Sequence, residues 1–306
     1  MYRQLPKVVL ALTAVMWACG GCSSSATPTS PSATAPVSQT SRPPTPIQLT
    51  GFVLDSGFRP IAGARVEVVD GPQAGISATA DASGQFSLTG SFDNVTTFRA
   101  SADGYRGATQ PWSCSVSECL GASGARPWLG FYLAPLAPPV NIAGDYTLTF
   151  VADAACLDLP IELRTRTYAA TIAPEDRKNI PANTSFALTV SGASFLGTFD
   201  SFTIGVAGDY LGFWLHGGHD PPVVEQLATN AYLAFSGNAA ASLPSSSGSP
   251  ISAAFEGWID YCELKAPMGA YYNCGTSNWT GEPIPGQAVT YAHCESKNHR
   301  LILTRR

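Results

Sequence analysis

From Gln48 onward, apolar residues recur at every second position in short bursts separated by Gly, Pro, Asn and Asp, the pattern of half-buried strands joined by turns. Gln48–Leu54 and Ala64–Val69 show it first, with Asp55-Ser56-Gly57 and Asp81-Ala82-Ser83-Gly84 as turns, where Asp offers a side-chain acceptor and Gly a positive φ. The alternation returns at Tyr146–Val151, Thr167–Ile172, Phe186–Ser191, Ser201–Val206, Tyr210–Leu215, Ala231–Ser236, Ser252–Ile259 and Arg300–Thr304. Short strands in unbroken series predict an up-and-down β-barrel. "CLDLPIELRTR" (156–166) interrupts the series with one or two helical turns.

Two stretches lack this pattern. Val8–Ala18 is an uncharged apolar run behind Arg3 and Lys7, shorter than the roughly 20 residues a membrane-spanning helix needs, and reads as the core of an export signal over residues 1–18. Residues 19–46 end in Ser/Thr/Pro-rich low-complexity chain that cannot form a core and predicts a disordered linker. A stiffer Pro-rich joint at 135–141 then separates a first module, 47–134, from a second, 142–306. Abundant Gly, Pro, Val, Thr, Phe and Tyr make the fold class all-β.

Charge narrows the function classes. Charged residues are 13% of the chain and the formal net charge is -5, so no basic stripe is present to hold nucleic acid.

Cys19-Gly20-Gly21-Cys22 has the spacing of a redox dithiol, but the thiolate of such a pair is stabilised at a helix N-terminus in a packed domain, and here low-complexity chain follows. Cys19, directly behind the apolar run and Ala18, instead resembles the lipobox of bacterial lipoproteins, with Cys22 behind Gly20-Gly21 as the alternative and plain secretory cleavage as the other reading. The resemblance implies an acylated mature N-terminus that anchors the chain in a membrane. Neither Gly20 nor Ser23 is the aspartate that retains lipoproteins in the inner membrane, so it also implies the outer membrane, with the modules periplasmic or surface-exposed. The remaining cysteines, Cys114, Cys119, Cys156, Cys262, Cys274 and Cys294, are an even set in an exported chain and predict disulfides. Local spacing favours Cys114 with Cys119 and Cys262 with Cys274, which leaves Cys156 for Cys294 among the 15 connectivities six cysteines allow.

"GFVLDSGFRPIAGARVEV", "TADASGQFSL" and "FRASADGYRG" resemble the carboxypeptidase regulatory-like family over about Ile47–Gly107, which implies a transthyretin-like β-sandwich that carries no catalytic residues. Residues 108–134 depart from it before a last strand, "WLGFYLAP". In the second module Gly144-Asp145-Tyr146, the serial strands and Arg305 loosely resemble a lipocalin-like barrel, with Tyr146 where that family has tryptophan. The "C-LP-LR-R-Y" opening and "C-S-NH" ending are similar to uncharacterised bacterial lipoproteins and imply no activity.

Reactive constellations are sparse. His216, His219 and Asp220 could converge on a metal around a Gly-Gly turn, although no helix orders them and no further protein ligand is indicated, and polar loop residues are the plainer reading. His293 and His299 read as surface or strand residues. No G-x-S-x-G elbow occurs, and Asp153, Asp158, Glu162, Arg164 and Arg166 read as a solvated, salt-bridged cap. Aromatics near the cysteine loops are better candidates for binding by stacking: Trp112 and Trp128 in the first module, and Trp258, Tyr261, Tyr271, Tyr272 and Trp279 in the second. The sequence thus predicts a non-enzymatic envelope lipoprotein, without cofactor, that binds a glycan, a peptide, a protein partner or a small apolar ligand. A purely structural spacer and a metal-dependent hydrolase using His216 and His219 are the rival readings.

Overall fold

In the computed structural model the described residues are 46–93, 95–112, 128–196, 201–215, 223–243, 249–267 and 288–306, all within one compact unit, Pro44–Arg306. The fold is all-β.

Two sheets form the first half. β1 (Ile47–Asp55) lies between β4 (Gln85–Gly90), antiparallel, and β7 (Trp128–Leu133), parallel. The second sheet has the order β3 (Ser77–Thr79), β2 (Arg65–Asp70), β5 (Thr97–Ser101), β6 (Ala108–Pro111). Alternation along the strands sends Leu49, Val53, Val66, Val68, Leu88, Phe98, Phe131 and Leu133 into the space between the sheets, where each is almost fully buried. The Asp-turns form as their sequence demands. Asp55 Oδ1 accepts from the N–H groups of Gly57 and Arg59, at 2.8 and 2.9 Å. Asp81 Oδ1 does the same for Ser83 and Gln85, at 2.8 and 2.9 Å, before Gly84 at φ +74°.

The second half is a closed antiparallel barrel of eight strands. β8 (Gly144–Val151), β9 (Thr165–Pro174), β10 (Ser185–Ser191), β11 (Ser201–Ala207), β12 (Tyr210–Trp214), β14 (Ala231–Ser242), β15 (Ile251–Leu264) and β16 (Ala288–Arg305) pair in series, and β16 returns to β8. One of the alternating segments in the sequence falls on each of the eight, that of β12 running one residue past the strand, to Leu215. The pattern did not predict β13 (Val223–Ala228), which pairs with the first half of β14 while β12 pairs with the second. The middle of the barrel is packed with rings: Phe150 stacks on Phe235 at 4.5 Å and lies 5.9 Å from Phe255 and 6.3 Å from Tyr168. Rings packed at these distances fill the middle of the barrel with side chains.

An irregularity between Phe255 and Gly257 of β15 opposes three-residue spacing, Ser296 to His299, on β16. The shift resets the inward positions of β16 from Ala292 and Cys294 to His299, Leu301 and Leu303. Over one end folds the connection 152–164, with a 3₁₀ turn at Ile161–Leu163, and the Cys156–Cys294 disulfide (Cα–Cα 5.5 Å) ties it to β16. Its own Leu159 and Leu163 are buried in the barrel core.

This cap is not the salt-bridged cluster the sequence suggested. Arg164 donates to the carbonyls of Leu159 and Leu157, at 3.0 and 2.9 Å. Arg166 pairs with Glu225 of β13, a residue 3% exposed that also accepts from the Tyr168 hydroxyl at 2.6 Å. The physical reason is parity: Arg166 shares the inward face of β9 with Tyr168, and a charge placed there must find a partner inside.

Candidate functional site

The outer face of the three-stranded sheet is aromatic where alternation would put polar residues. Phe52 of β1 and Trp128 and Tyr132 of β7 occupy outward positions, while Val53, Leu129, Phe131 and Leu133 point in. Phe52 lies across Gly130, where an added Cβ would sit 2.6 Å from the ring. Trp128 is 63% exposed, whereas the large apolar side chains of the core are buried.

These rings continue out of the sheet. Trp128 and Phe52 are 4.5 Å apart between centroids, Phe52 and Tyr132 5.5 Å, Tyr132 and Phe58 6.1 Å, and Phe58 and Trp214 5.7 Å. Phe58 belongs to the turn after β1, and Trp214 ends β12 of the barrel, so one row of five rings crosses from one half of the molecule to the other. The contacts are tilted or edge-to-face, each ring bracing the next.

The crossing is fixed by close backbone approach. Ser56, fully buried, donates from Oγ to the Val206 carbonyl at 2.6 Å. Gly205 and Gly212 on the barrel wall leave the space: a Cβ at Gly205 would lie 2.1 Å from the Ser56 carbonyl oxygen, and one at Gly212 2.0 Å from that of Gly57. Arg59, bonded to Asp55 through Nε at 2.7 Å, stacks over Tyr210 at 4.1 Å. Burial pushes the Tyr132 and Tyr210 hydroxyls above the usual phenol range, so both stay neutral donors.

A groove opens on either side of this crossing. One, about 580 Å³, is lined by Phe58, Tyr210, Trp214, Asn238, Glu256 and Lys297. At its rim Lys297 Nζ lies 2.8 Å from Glu256 Oε1. The other, about 510 Å³, is lined by Tyr132, Arg106, Pro138, Pro139, Asn179 and Asn183, which brings in the Pro-rich joint.

Residues 48–118 match the family described as the carboxypeptidase regulatory-like domain. The match covers β1 to β6 and runs past Gly107, where the sequence likeness was expected to end, to Glu118. No curated protein matches the chain. A regulatory-like domain of this kind is a non-catalytic binding or structural module. Two of the five rings, Phe52 and Phe58, lie within the matched residues, and Trp128 and Tyr132 stand on β7, which follows them and completes the same sheet.

The other residues singled out in the sequence fare differently. Trp112 is corrected: 7% exposed, it packs between Phe92 and Phe98 inside the regulatory-like domain and offers no face to a ligand, because it follows β6 on the inward side. Tyr261 is likewise turned into the barrel, and its hydroxyl, held by Glu263, is pushed up to about 12, burial being the larger cause. Trp258 sits half-buried on the outer wall near Asp260, Tyr291 and His293. There His293 Nδ1 lies 2.6 Å from Asp260 Oδ1, whose hydrogen bond raises the imidazole pKa. Cys262 is buried and disulfide-bonded. Cys19, Cys22, Cys114, Cys119, Cys274, His216, His219, Asp220, Tyr271, Tyr272 and Trp279 lie outside the described residues.

Cys156, Cys294 and His299 bring potential ligand atoms within 4.8 Å of one another, but the two sulfurs are bonded to each other and hold no lone thiolate for a metal. His299 is buried rather than at the surface, its Nδ1 accepts from the Asp153 N–H at 3.0 Å, and burial lowers its pKa. Proximity to the cysteine loop had singled out Trp128 of this row; Phe52 and Tyr132, which it missed, were legible in parity, since with Trp128 they stand on the face opposite to the buried residues of their own strands.

Proposed function

We propose that this chain is an envelope lipoprotein, acylated at Cys19 or Cys22, whose two folded halves together bind a glycan through the row from Trp128 to Trp214. The observation that carries the reading is Trp128 itself, a large ring 63% exposed and braced by Phe52 in a row of half-buried aromatics. Ordered rings present apolar faces at little entropic cost, which suits the C–H faces of pyranoses, and the neighbouring Tyr, Asn, Glu and Lys side chains suit their hydroxyls. The filled barrel disfavours a carrier of small apolar molecules. A lipocalin-like kinship for the barrel draws support from Arg305, whose guanidinium lies 5.7 Å from the Tyr146 ring and closes the end where the strands begin and finish.

Three measurements test the reading. Mass spectrometry of the mature N-terminus and detergent phase partition report acylation. Sedimentation with insoluble cellulose, chitin and purified peptidoglycan reports glycan binding, and Trp128→Ala is expected to lose at least tenfold in affinity with an unchanged melting temperature. A protein that sediments with none of these polymers, or a Trp128→Ala variant that binds as well as the parent, rejects the glycan reading in favour of a spacer.

A further inference from the structure

The Cys156–Cys294 bridge shares a buried compartment with His299, and that histidine is only half used. Its ring is fully buried, lies 5.4 Å from Phe255 between centroids, and has a nitrogen within 4.8 Å of both sulfurs. Nδ1 accepts from the Asp153 N–H at 3.0 Å, so the neutral ring keeps its proton on Nε2. That Nε2 has no hydrogen-bond partner, although the Cys294 and Gly257 carbonyls act on the ring from the backbone and Asp153 supplies a nearby negative charge. A buried donor left without an acceptor is costly, and one that persists beside a reactive group calls for a state in which an acceptor arrives.

We infer that this bridge is a thiol–disulfide exchange site, opened at Cys294 by an external dithiol, with the Nε2–H of His299 receiving the thiolate that leaves on Cys156. The direction follows from access. Cys294 is only partly buried on β16, whereas Cys156 is 2% exposed in the connection 152–164, so an incoming thiolate meets the Cys294 sulfur first.

The new sulfur–sulfur bond forms at Cys294 as the bond to Cys156 breaks, and the electron pair of that bond leaves on Cys156 Sγ. A disulfide sulfur is a weak acceptor and a thiolate a strong, charge-assisted one, so the orphan donor stabilises the opened form and not the starting bridge. The second thiol of the dithiol then attacks the mixed disulfide and frees Cys294. The dithiol ends as a disulfide; of its two protons one goes to Cys294 as its thiol forms and the other to solvent, while Cys156 stays a thiolate.

Opening the bridge does not release the connection. Asp153 remains tied to β16 through the His299 ring, the Ser296 hydroxyl and the Asn298 amide, and Arg164 still holds the carbonyls of Leu157 and Leu159. The two sulfurs are thereby kept as neighbours, and the same steps run in reverse with an oxidised partner.

Addition of dithiothreitol to the folded chain, followed by alkylation and mass spectrometry of the peptides that carry Cys156 and Cys294, reads the opening directly. His299→Leu is expected to slow it at least fivefold, and His299→Gln, whose side-chain amide restores an N–H donor, to recover most of the loss. A merely structural histidine gives the opposite sign, because a loosened connection exposes the sulfurs and speeds their reduction. A smaller slowing in His299→Leu, a faster opening, or a parent bridge that dithiothreitol leaves closed overturns the inference. Where His299→Leu shows no cooperative melting transition, the reduced parent decides. Its Cys156 thiolate, followed by alkylation rate against pH, should form at least about one pH unit below the ordinary thiol value of about 8.5, and an ordinary value overturns the assignment.

Discussion

Asp153 accepts from the Ala155 N–H at 3.0 Å, from the Ser296 hydroxyl and from the Asn298 amide at 3.1 Å, and these bonds, in that order, hold its pKa down to about 2. A carboxylate whose folded pKa is depressed supports the fold above its unfolded value, about 4, and loses that support as pH falls through the folded one. His299 acts in the same direction by another route: burial lowers its pKa, so below about pH 6.5 the unfolded chain takes up a proton that the folded one refuses. His293 opposes it, because Asp260 raises its pKa; its contribution is present below about pH 6.5 and fades as pH climbs through the elevated folded value. Melting temperatures measured from pH 7 to 2 should therefore fall most steeply between about pH 4 and 2. Asp153→Asn should flatten that limb and leave the neutral limb, set by the two histidines, in place. Residues of this kind were invisible in the sequence, since Asp153 meets Ser296 and Asn298 only when the barrel closes.

At the scale of strands and turns, alternation predicted every strand of the closed barrel and failed at β13 for a physical reason. Val223 packs into the barrel and Val224 into a second cluster on its outer wall with Tyr232, Ala234, Cys262 and Leu264, so both faces are buried and no polar beat separates them. Glu225, almost fully buried beside them, is the partner of Arg166. The docking of the two halves was equally hidden, because Gly205 and Gly212 read as weak strand positions until a carbonyl is seen against each. Gly212→Val introduces side-chain atoms where the Gly57 carbonyl stands and should cost about 1–3 kcal/mol by forcing the turn off the wall. The expected result is a melting transition that splits in two, with faster proteolysis of residues 135–141. A single unchanged transition would mean that the contact is ornamental.

For the molecule as a whole, the disulfide between Cys156 and Cys294 spans 138 residues and joins the connection after the first barrel strand to the last strand. Cross-links across loops of this size limit the unfolded ensemble strongly, and Cys156→Ser together with Cys294→Ser should lower unfolding free energy by about 2–5 kcal/mol, read from denaturant melts. The spacing of the cysteines suggested this pair, and the barrel gives the reason: β8 and β16 are neighbours in the closed sheet although they lie at opposite ends of its sequence.

That neighbourliness sets a timetable for biogenesis. A polypeptide made from its N-terminus delivers Cys156 well before Cys294, and two other thiols, Cys262 and Cys274, arrive in between. Until the final strand has emerged, Cys156 can only cross-link wrongly or wait. The Cys156–Cys294 bridge therefore waits on the last strand, and any bridge Cys156 makes earlier has to be exchanged before the barrel can close.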